Sequence, residues 1–461
     1  MEEEDKVEEK NEDTVEEPEE KPEPKKHVKT RPRKTHIKKD KKCICDRGAV
    51  LKKITFHPKP LTSTELNQIR LNLFTERNSD GTGFLVLRGK DIQDRYGRRI
   101  DDTDIRAIVL YCREMPKRIT KLDLCYNNIT DVGFFKLLKK LLIKGRSSIL
   151  NLNIMNNSLT EKSMEYLAKY AEVVKLKYLR LNGNPIGTVG GMHFGQFLTK
   201  NRTVEFLDIG ETDQTLSSIC HIIGSLTEGY GENNTLRVFD YSRIVPCFNR
   251  YDVETKWVAY YIEALLRGNS SIIELHLQKN GFIGHDMEFF ARGLRKNDAL
   301  LYLDLGFNRI GDYGAGLIAE YLREGPQLLL LNLAANGIKD TGARAINILN
   351  TIKKPYFLRF LNIWGNKMTH KTCCVIERML MSGTIFQHTL DIALYEVDEV
   401  LYAAYYPNPA DRNKHLYYCE LDFAYAQPIY HITRNFIQAP KRVKVDCKQR
   451  HKLDKTNKED F

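Results

Sequence analysis

The sequence lacks the features of a membrane protein or of a disulfide-stabilised secreted fold. Its 461 residues contain no run close to the roughly 20 apolar residues that a helix needs to cross a bilayer. The acidic start lacks the charged and then apolar layout of a secretory signal. Its 10 cysteines follow no regular framework, which favours reduced thiols. We therefore expect an intracellular protein, cytoplasmic or nuclear, without membrane contact or disulfides.

The sequence also lacks a set of groups that would support catalysis or hold a cofactor. His370, Cys373 and Cys374 come closest to a metal site, but no second ligand pair follows at the spacing of a zinc centre. Gly311 and Gly314 suggest a nucleotide-binding loop only weakly, because similar glycines recur elsewhere in the chain. We therefore predict a protein that is not an enzyme and that has no metal and no cofactor.

Charge is distributed unevenly along this chain, whose net charge is +11. Residues 1–20 are mostly acidic, residues 25–42 are rich in lysine and arginine, and residues 441–458 are basic again. Such segments bury too little apolar surface to fold, so we predict a disordered arm over residues 1–45 and a disordered tail over residues 441–461. The basic segments direct nuclear import, contact RNA or contact an acidic protein; the alternative is that they only keep the chain soluble.

The main feature of the sequence is an internal repeat with a period near 28 residues. Four segments share the pattern L-x-L-x-x-N-x-I-x-x-x-G, and three weaker copies keep most of it. The seven copies begin at Leu122, Leu152, Leu179, Leu275, Leu303, Leu331 and Leu361. The paired leucines predict a short strand with one buried face, and the apolar spacing after the glycine predicts a helix. Strand and helix therefore alternate.

An asparagine follows the paired leucines in each copy. Its amide can bond main-chain groups that the turning chain leaves unpaired, so we predict a ladder of asparagines. The ladder positions are Asn127, Asn157, Asn184, Asn280, Asn308, Asn336 and Asn366. Two central copies have Thr212 and Ile244 instead, and an insert near residues 210–256 accompanies them. The insert is either a binding loop or drift in a tolerant turn.

These features predict an α/β solenoid with parallel strands on a concave face and helices on a convex face. The pattern resembles leucine-rich repeats of the ribonuclease-inhibitor type over residues 84–383. That resemblance implies a horseshoe that binds another macromolecule. We predict an N-terminal cap over residues 46–83 and a tyrosine-rich C-terminal capping segment over residues 384–440, with a docking face as the alternative for the tyrosines.

Further resemblances suggest more specific functions. The segments that begin at Leu176, Leu361 and Leu394 are similar to one animal leucine-rich repeat protein, which implies a protein of nucleus, nucleolus and cytoplasm linked to ribosome biogenesis or germ-cell development. Residues Lys53–Phe56 resemble a docking motif for protein phosphatase 1, although such short patterns often occur by chance. A structural subunit of a large assembly, such as a ciliary axoneme, and an RNA-associated factor acting through the basic tails are the remaining alternatives.

The strand side chains that alternate with the leucines define the predicted binding face. Aromatic residues and arginine are typical anchors at protein interfaces, so we predict a protein partner. The candidates for partner binding are Tyr126, Arg180, His276, Tyr302, Phe307, Phe360 and Trp364. Each is otherwise an ordinary solvated strand residue, and burial of Trp364 against the terminal cap is an equal alternative.

Overall fold

The computed structural model describes residues 66–114, 119–144, 148–227, 229, 232–244, 255–339, 358 and 360–406. The predicted arm, the basic tail, the phosphatase-like segment and residues 245–254 of the insert lie outside these residues. Among the described residues, no helix is both long and apolar enough to span a membrane.

Short strands recur at the predicted leucine pairs. The apolar residues of the repeat pattern point into the core, and five of the strands are buried at every residue. In chain order they are β1 Thr75–Arg77, β2 Gly83–Val86, β3 Ile119–Asp123, β4 Asn151–Asn153, β5 Tyr178–Arg180, β6 Phe206–Asp208, β7 Val238–Asp240, β8 Glu274–His276, β9 Tyr302–Asp304, β10 Leu330–Asn332, β11 Phe360–Asn362, β12 Ile392–Val397 and β13 Val400–Tyr405.

Helices connect most of these strands. Each helix that follows a strand buries an apolar stripe, as the spacing of its aliphatic residues predicts. In chain order they are α1 Gln68–Leu73, α2 Gly89–Tyr96, α3 Ile105–Glu114, α4 Asp131–Leu137, α5 Glu161–Lys169, α6 Gly187–Lys200, α7 Leu216–Leu226, α8 Thr255–Gly268, α9 Asp286–Leu294, α10 Gly311–Arg323 and α11 His370–Met381. A π-helical stretch, Leu138–Ile143, directly continues α4.

The first eleven strands form one sheet in chain order. β1 pairs with β2 antiparallel, and every later neighbour pair from β2 to β11 is parallel. Equivalent leucines are in register, so that Leu303 pairs with Leu275 on one side and with Leu331 on the other. The paired leucines and the helix stripes share one continuous core. The predicted solenoid of parallel strands and helices is therefore confirmed.

The asparagine ladder is present where the repeat pattern predicts it. Asn308 donates from Nδ2 to the carbonyls of Leu305, 2.8 Å away in its own repeat, and Leu277, 3.1 Å away in the preceding repeat. Its Oδ1 accepts the N–H groups of Asn280 and Gly281 of the preceding repeat. Each such asparagine thereby satisfies buried main-chain groups of two adjacent coils.

A second asparagine ladder lies at the opposite ends of the strands, where each helix returns to the sheet. Asn269, for example, donates from Nδ2 to the carbonyls of Leu226 and Asn233, while its Oδ1 accepts the N–H of Ser271. The same geometry recurs at Asn201, Asn233, Asn269 and Asn297. The signal in the sequence is the pattern N-x-T/S/A followed by an aliphatic residue, which our sequence analysis missed.

The last parallel strand is covered by the beginning of the C-terminal segment. Leu390 forms a parallel bridge with Leu361, and Asp391 accepts the N–H groups of Ile363 and Trp364 at 2.8 and 3.1 Å. The chain then forms the antiparallel hairpin of β12 and β13. A carboxylate thus satisfies main-chain donors that another repeat would otherwise pair, as a terminal cap requires.

Candidate partner-binding groove

Side chains on alternate strand positions point away from the main core, and we call this side the sheet face. A groove runs along it across seven adjacent strands, β5 to β11. The groove is lined by Arg180, Asn182, Asp208, Gly210, Glu211, Asp240, Ser242, His276, Gln278, Tyr302, Asp304, Phe307, Asn332, Ala334, Asn362, Trp364, Asp391 and Tyr405. Six strand spacings of about 4.8 Å give it a length of roughly 29 Å.

The floor of the groove is a row of polar side chains from the middle position of each leucine pair. Register brings Asp208 opposite Asp240, Asp240 opposite His276, and His276 opposite Asp304. Residues that lie about 30 positions apart in the sequence therefore become direct neighbours. Because the strands are parallel and in register, the side chains at this one position of the repeat form a continuous row that is mostly charged.

His276 is the buried cation of this row. Its Nδ1 lies 3.4 Å from Asp304 Oδ2 and its Nε2 lies 3.5 Å from Glu274 Oε2. Burial alone would lower the pKa of this imidazole, but the bonds to Asp304 and Glu274, together with the charge of Asp240, raise the pKa to about 10. His276 is therefore protonated at neutral pH and holds the surrounding carboxylates together.

The carboxyl of Asp208 has a raised pKa. Burial and the neighbouring charge of Asp240 raise its pKa to about 7, against the opposing effect of Arg180. Arg180 Nε lies 3.1 Å from Asp208 Oδ2. Asp208 therefore holds its proton to a higher pH than an exposed carboxyl would.

Aromatic side chains form the rim of the groove. Phe307 is 50% exposed and Trp364 is 37% exposed. The ring of Trp364 lies 5.8 Å from that of Tyr405, on the terminal hairpin, so the predicted contact with the cap and exposure to the groove both occur. Phe307 has a positive φ of 59°, a conformation in which a bulky side chain is unfavourable. The positive φ destabilises the backbone at Phe307, and the half-exposed ring buries little apolar surface that would offset this.

The structure brings together five of the seven predicted residues: Arg180, His276, Tyr302, Phe307 and Trp364 all line the groove. We predicted these side chains as exposed strand residues, but His276 and Tyr302 are buried, because they pack edge to face with ring centres 4.7 Å apart. Phe307 lies in the turn after β9 rather than in the strand.

Two predicted residues lie elsewhere. Tyr126 is 47% exposed in the turn after β3, at a positive φ of 60°, and does not line the groove. Phe360 is half-buried and packs against Tyr302 and Leu330 in a small apolar cluster of the sheet face. It supports the groove without lining it.

His370 and Cys374, which the sequence suggested as weak candidates for metal ligands, contact neighbouring groups of the chain instead. His370 Nδ1 accepts the N–H of Leu401 at 2.9 Å, and its Nε2 lies 3.3 Å from the Cys374 thiol. Among the residues that the structure describes, no group of three or more candidate ligands has a metal-binding arrangement. Burial raises the pKa of the Cys112 thiol to about 12, which makes that cysteine a poor nucleophile.

A second surface feature was not predicted. Ahead of β5, β6 and β7, four basic residues line a shallow depression that we call the basic edge: Lys175, Lys177, Arg202 and Arg237. Glu205 is the acidic residue that lines it, and its Oε1 lies 2.8 Å from Lys177 Nζ. The signal was present in the sequence as a recurrent cation just before the strand, but only the register shows that the cations are adjacent.

A family model agrees with the repeat pattern. The family model described as Leucine Rich repeat matches residues 119–138, 174–195, 296–319 and 327–346, which contain β3, β5, β9 and β10. No curated protein matches the sequence. An internalin from Listeria monocytogenes has a similar solved structure, at 14% identity and a TM-score of 0.26, covering 66% of this chain and 84% of the internalin chain.

The class of protein follows from the repeats and the fold together. The described residues form an α/β solenoid of the leucine-rich repeat type, with parallel strands and helices, and four segments of the chain match the leucine-rich repeat model. Leucine-rich repeat domains generally mediate contacts between proteins.

Proposed function

We propose that this protein is a non-enzymatic scaffold that binds a partner protein through the groove of the sheet face. The observation that supports this proposal most directly is the continuous lining of the groove by seven strands, with a charged floor and an aromatic rim. A groove of roughly 29 Å can hold about nine residues of an extended chain, since each residue spans about 3.3 Å. Rigid strands hold its side chains in place, as a specific interface requires.

The strained position of Phe307 supports the same proposal. The equivalent turn positions of other repeats share the positive φ: Gly183 and Gly365 adopt it without a side-chain penalty, and Tyr126, Asn156, Lys279 and Ala335 adopt it with a side chain. An aromatic residue that keeps such a conformation while half-exposed stabilises the free protein poorly. Aromatic residues are common anchors of protein interfaces, so we assign Phe307 a role in binding.

The test compares two double variants of the full chain in affinity capture from cells. Phe307→Ala with Trp364→Ala removes the rim, while Trp257→Ala with Tyr260→Ala removes two aromatic residues that are similarly exposed on α8. We expect one partner to be captured by the natural chain and by the α8 variant, and to be lost from the rim variant. Equal capture of every partner by both variants would refute binding through the groove.

A second candidate function, contact with RNA, is favoured by the basic edge. Three of its cations, Lys175, Lys177 and Arg202, are exposed, and exposed cations attract phosphate groups through counterion release. Reversing Lys175 and Arg202 to glutamate should weaken binding of a single-stranded RNA oligonucleotide and flatten its salt dependence. RNA binding that is unchanged by these reversals would exclude the basic edge and leave the basic tails as the alternative.

We also propose a location in the nucleus and nucleolus and a link to ribosome biogenesis or germ-cell development, on the resemblance noted at Leu176, Leu361 and Leu394. Fluorescence imaging of the tagged full chain tests this. Nucleolar foci that overlap a ribosome-assembly marker would support the proposal, whereas axonemal staining would instead favour the structural-subunit alternative.

A further inference from the structure

The groove is acidic although the chain as a whole is strongly basic. Among the described residues that line it, five carry a carboxylate and two carry a cationic side chain. The carboxylates are Asp208, Glu211, Asp240, Asp304 and Asp391. Both cations already lie against carboxylates, since Arg180 pairs with Asp208, and His276 lies between Asp304 and Glu274. Glu211 also pairs with Arg243, and Asp391 accepts main-chain N–H groups, so Asp240 is the main carboxylate that faces a ligand.

Asp240 is the centre of this negative charge. It is half-buried, and its Oδ1 accepts the N–H of Ser242 at 3.1 Å. Asp208 stands beside it on β6, and Glu211 follows in the turn after β6, where its Oε1 lies 2.6 Å from Arg243. In a partly desolvated groove, an added cation gains more from such charges than it would on an open surface.

The aromatic rim favours the same kind of ligand. Lys279 Nζ lies 5.2 Å from the ring centre of Phe307, so the face of this ring already accepts a cation. Trp364 presents a second ring at the other end of the groove. Rings of this kind attract ammonium and guanidinium groups and also pack against the aliphatic stems of lysine and arginine.

We propose that the groove binds a segment of the partner protein that is rich in arginine and lysine and lies extended along the strand ends. Every second side chain of an extended segment points the same way, so alternate cationic residues would meet Asp240, Glu211 and the aromatic rim. This inference rests on the proposed function and specifies the chemistry of the partner.

The experiment measures fluorescence anisotropy of labelled nine-residue peptides added to the full chain. One peptide alternates arginine with serine, and the other alternates glutamate with serine. We expect the arginine peptide to bind, with an affinity that falls as salt rises, and the glutamate peptide not to bind. The Asp240→Asn and Glu211→Gln double variant should bind the arginine peptide about tenfold more weakly.

The matched control is the Glu165→Gln and Glu172→Gln double variant, which removes the same charge from exposed positions of α5 and the loop that follows it. It should bind as the natural chain does. If both double variants bind equally, the peptide is held elsewhere and the inference is overturned. Absence of any arginine-peptide binding overturns it as well. Because Glu211 is exposed, the single Glu211→Gln variant provides a second measurement that does not depend on a buried group.

Two further measurements identify which segment binds in the groove, and they distinguish failure of this inference from failure of the proposed protein-binding function. Replacing the lysines and arginines of residues 25–42 by glutamine should leave peptide affinity unchanged; tighter binding would assign the groove to the chain's own basic arm instead. If the arginine peptide fails while the rim variant still loses its partner, the groove remains a protein-binding site and only the cationic nature of the partner is refuted.

Discussion

The outer repeats and the two central repeats stabilise the same turn with different side chains. In the outer repeats one asparagine, such as Asn308, bridges two coils through both ends of its amide. In the central repeats Thr212 donates only to Ile209, and Gln214 takes over part of the task by donating to the carbonyl oxygens of Gly187 and Thr212. The sheet register is nevertheless unbroken. Strand stacking therefore depends on the apolar pairs, and the asparagine can be replaced.

The central repeats also carry the most unusual chemistry. Asp208 and Asp240 face each other across β6 and β7, beside His276 on β8. Facing carboxylates destabilise a sheet, yet they occur where the asparagine framework is weakest. The outer repeats therefore provide a regular, stable frame, while the central repeats are less regular and carry charged residues of the groove.

The largest expected difference between the regions concerns their turn residues. Asn308→Ala should lower the free energy of unfolding by about 3–4 kcal/mol, because several buried main-chain groups lose their partner. Thr212→Ala should cost about 2 kcal/mol, because its hydroxyl donates to the carbonyl of Ile209 and accepts from the Gln214 amide. Chemical denaturation of both variants checks this. Equal losses would show that the central turn is as tightly constrained as the outer one.

His276 should stabilise the groove in a defined pH range. Its folded pKa of about 10 lies above the ordinary 6.5, so the stabilisation is complete below pH 6.5 and is lost as pH rises towards 10. We expect His276→Gln to be less stable than the natural chain by on the order of 3 kcal/mol at pH 6. This deficit should shrink towards pH 10 in denaturation at several pH values; a constant deficit would contradict the charged state.

Asp208 should also make stability fall as pH rises, but over a lower pH range than His276. Because its pKa is raised from 3.8 to about 7, the folded state holds this proton more tightly than the unfolded chain, and stability falls as pH rises from 3.8 to 7. Asp208→Asn lacks this titration. Its stability relative to the natural chain should therefore improve by about 2 kcal/mol between pH 4 and pH 7. A parallel pH profile for both proteins would show that Asp208 titrates normally.

The smallest effect on stability is expected at the rim, where one substitution should stabilise the fold and also abolish partner binding. Phe307→Gly removes a bulky side chain from a positive φ, so unfolding should cost about 1 kcal/mol more. Partner capture should be lost at the same time. Gly183→Ala should destabilise its turn, since Gly183 has a φ of 72° and an added Cβ would also collide with the Asn156 side chain. A loss of stability in Phe307→Gly would instead indicate that the ring supports the fold.

Much of the fold was predictable because its signals are local and repeated. The leucine pairs marked the strands, and the asparagines marked turns that the hydrogen bonds confirm. The helix stripes followed from apolar spacing. The second asparagine ladder was missed, because residues such as Asn269 stand alone in the sequence and gain meaning only when the preceding coil provides its carbonyls.

The groove was predictable only in part. Alternation within each strand identified which side chains leave the core, and five of the seven chosen residues line the groove. It could not show that His276 would be buried between Glu274 and Asp304, because burial depends on what the neighbouring strand places beside it.

The sequence by itself determined the period, the strands and helices and the apolar core, since each follows from side-chain patterns within about 30 residues. Only the tertiary structure decided where charge accumulates, which imidazole is buried and which rings border the groove. The physical reason is that parallel register places residues from different repeats about 4.8 Å apart, and electrostatic interactions depend on that distance rather than on separation along the chain.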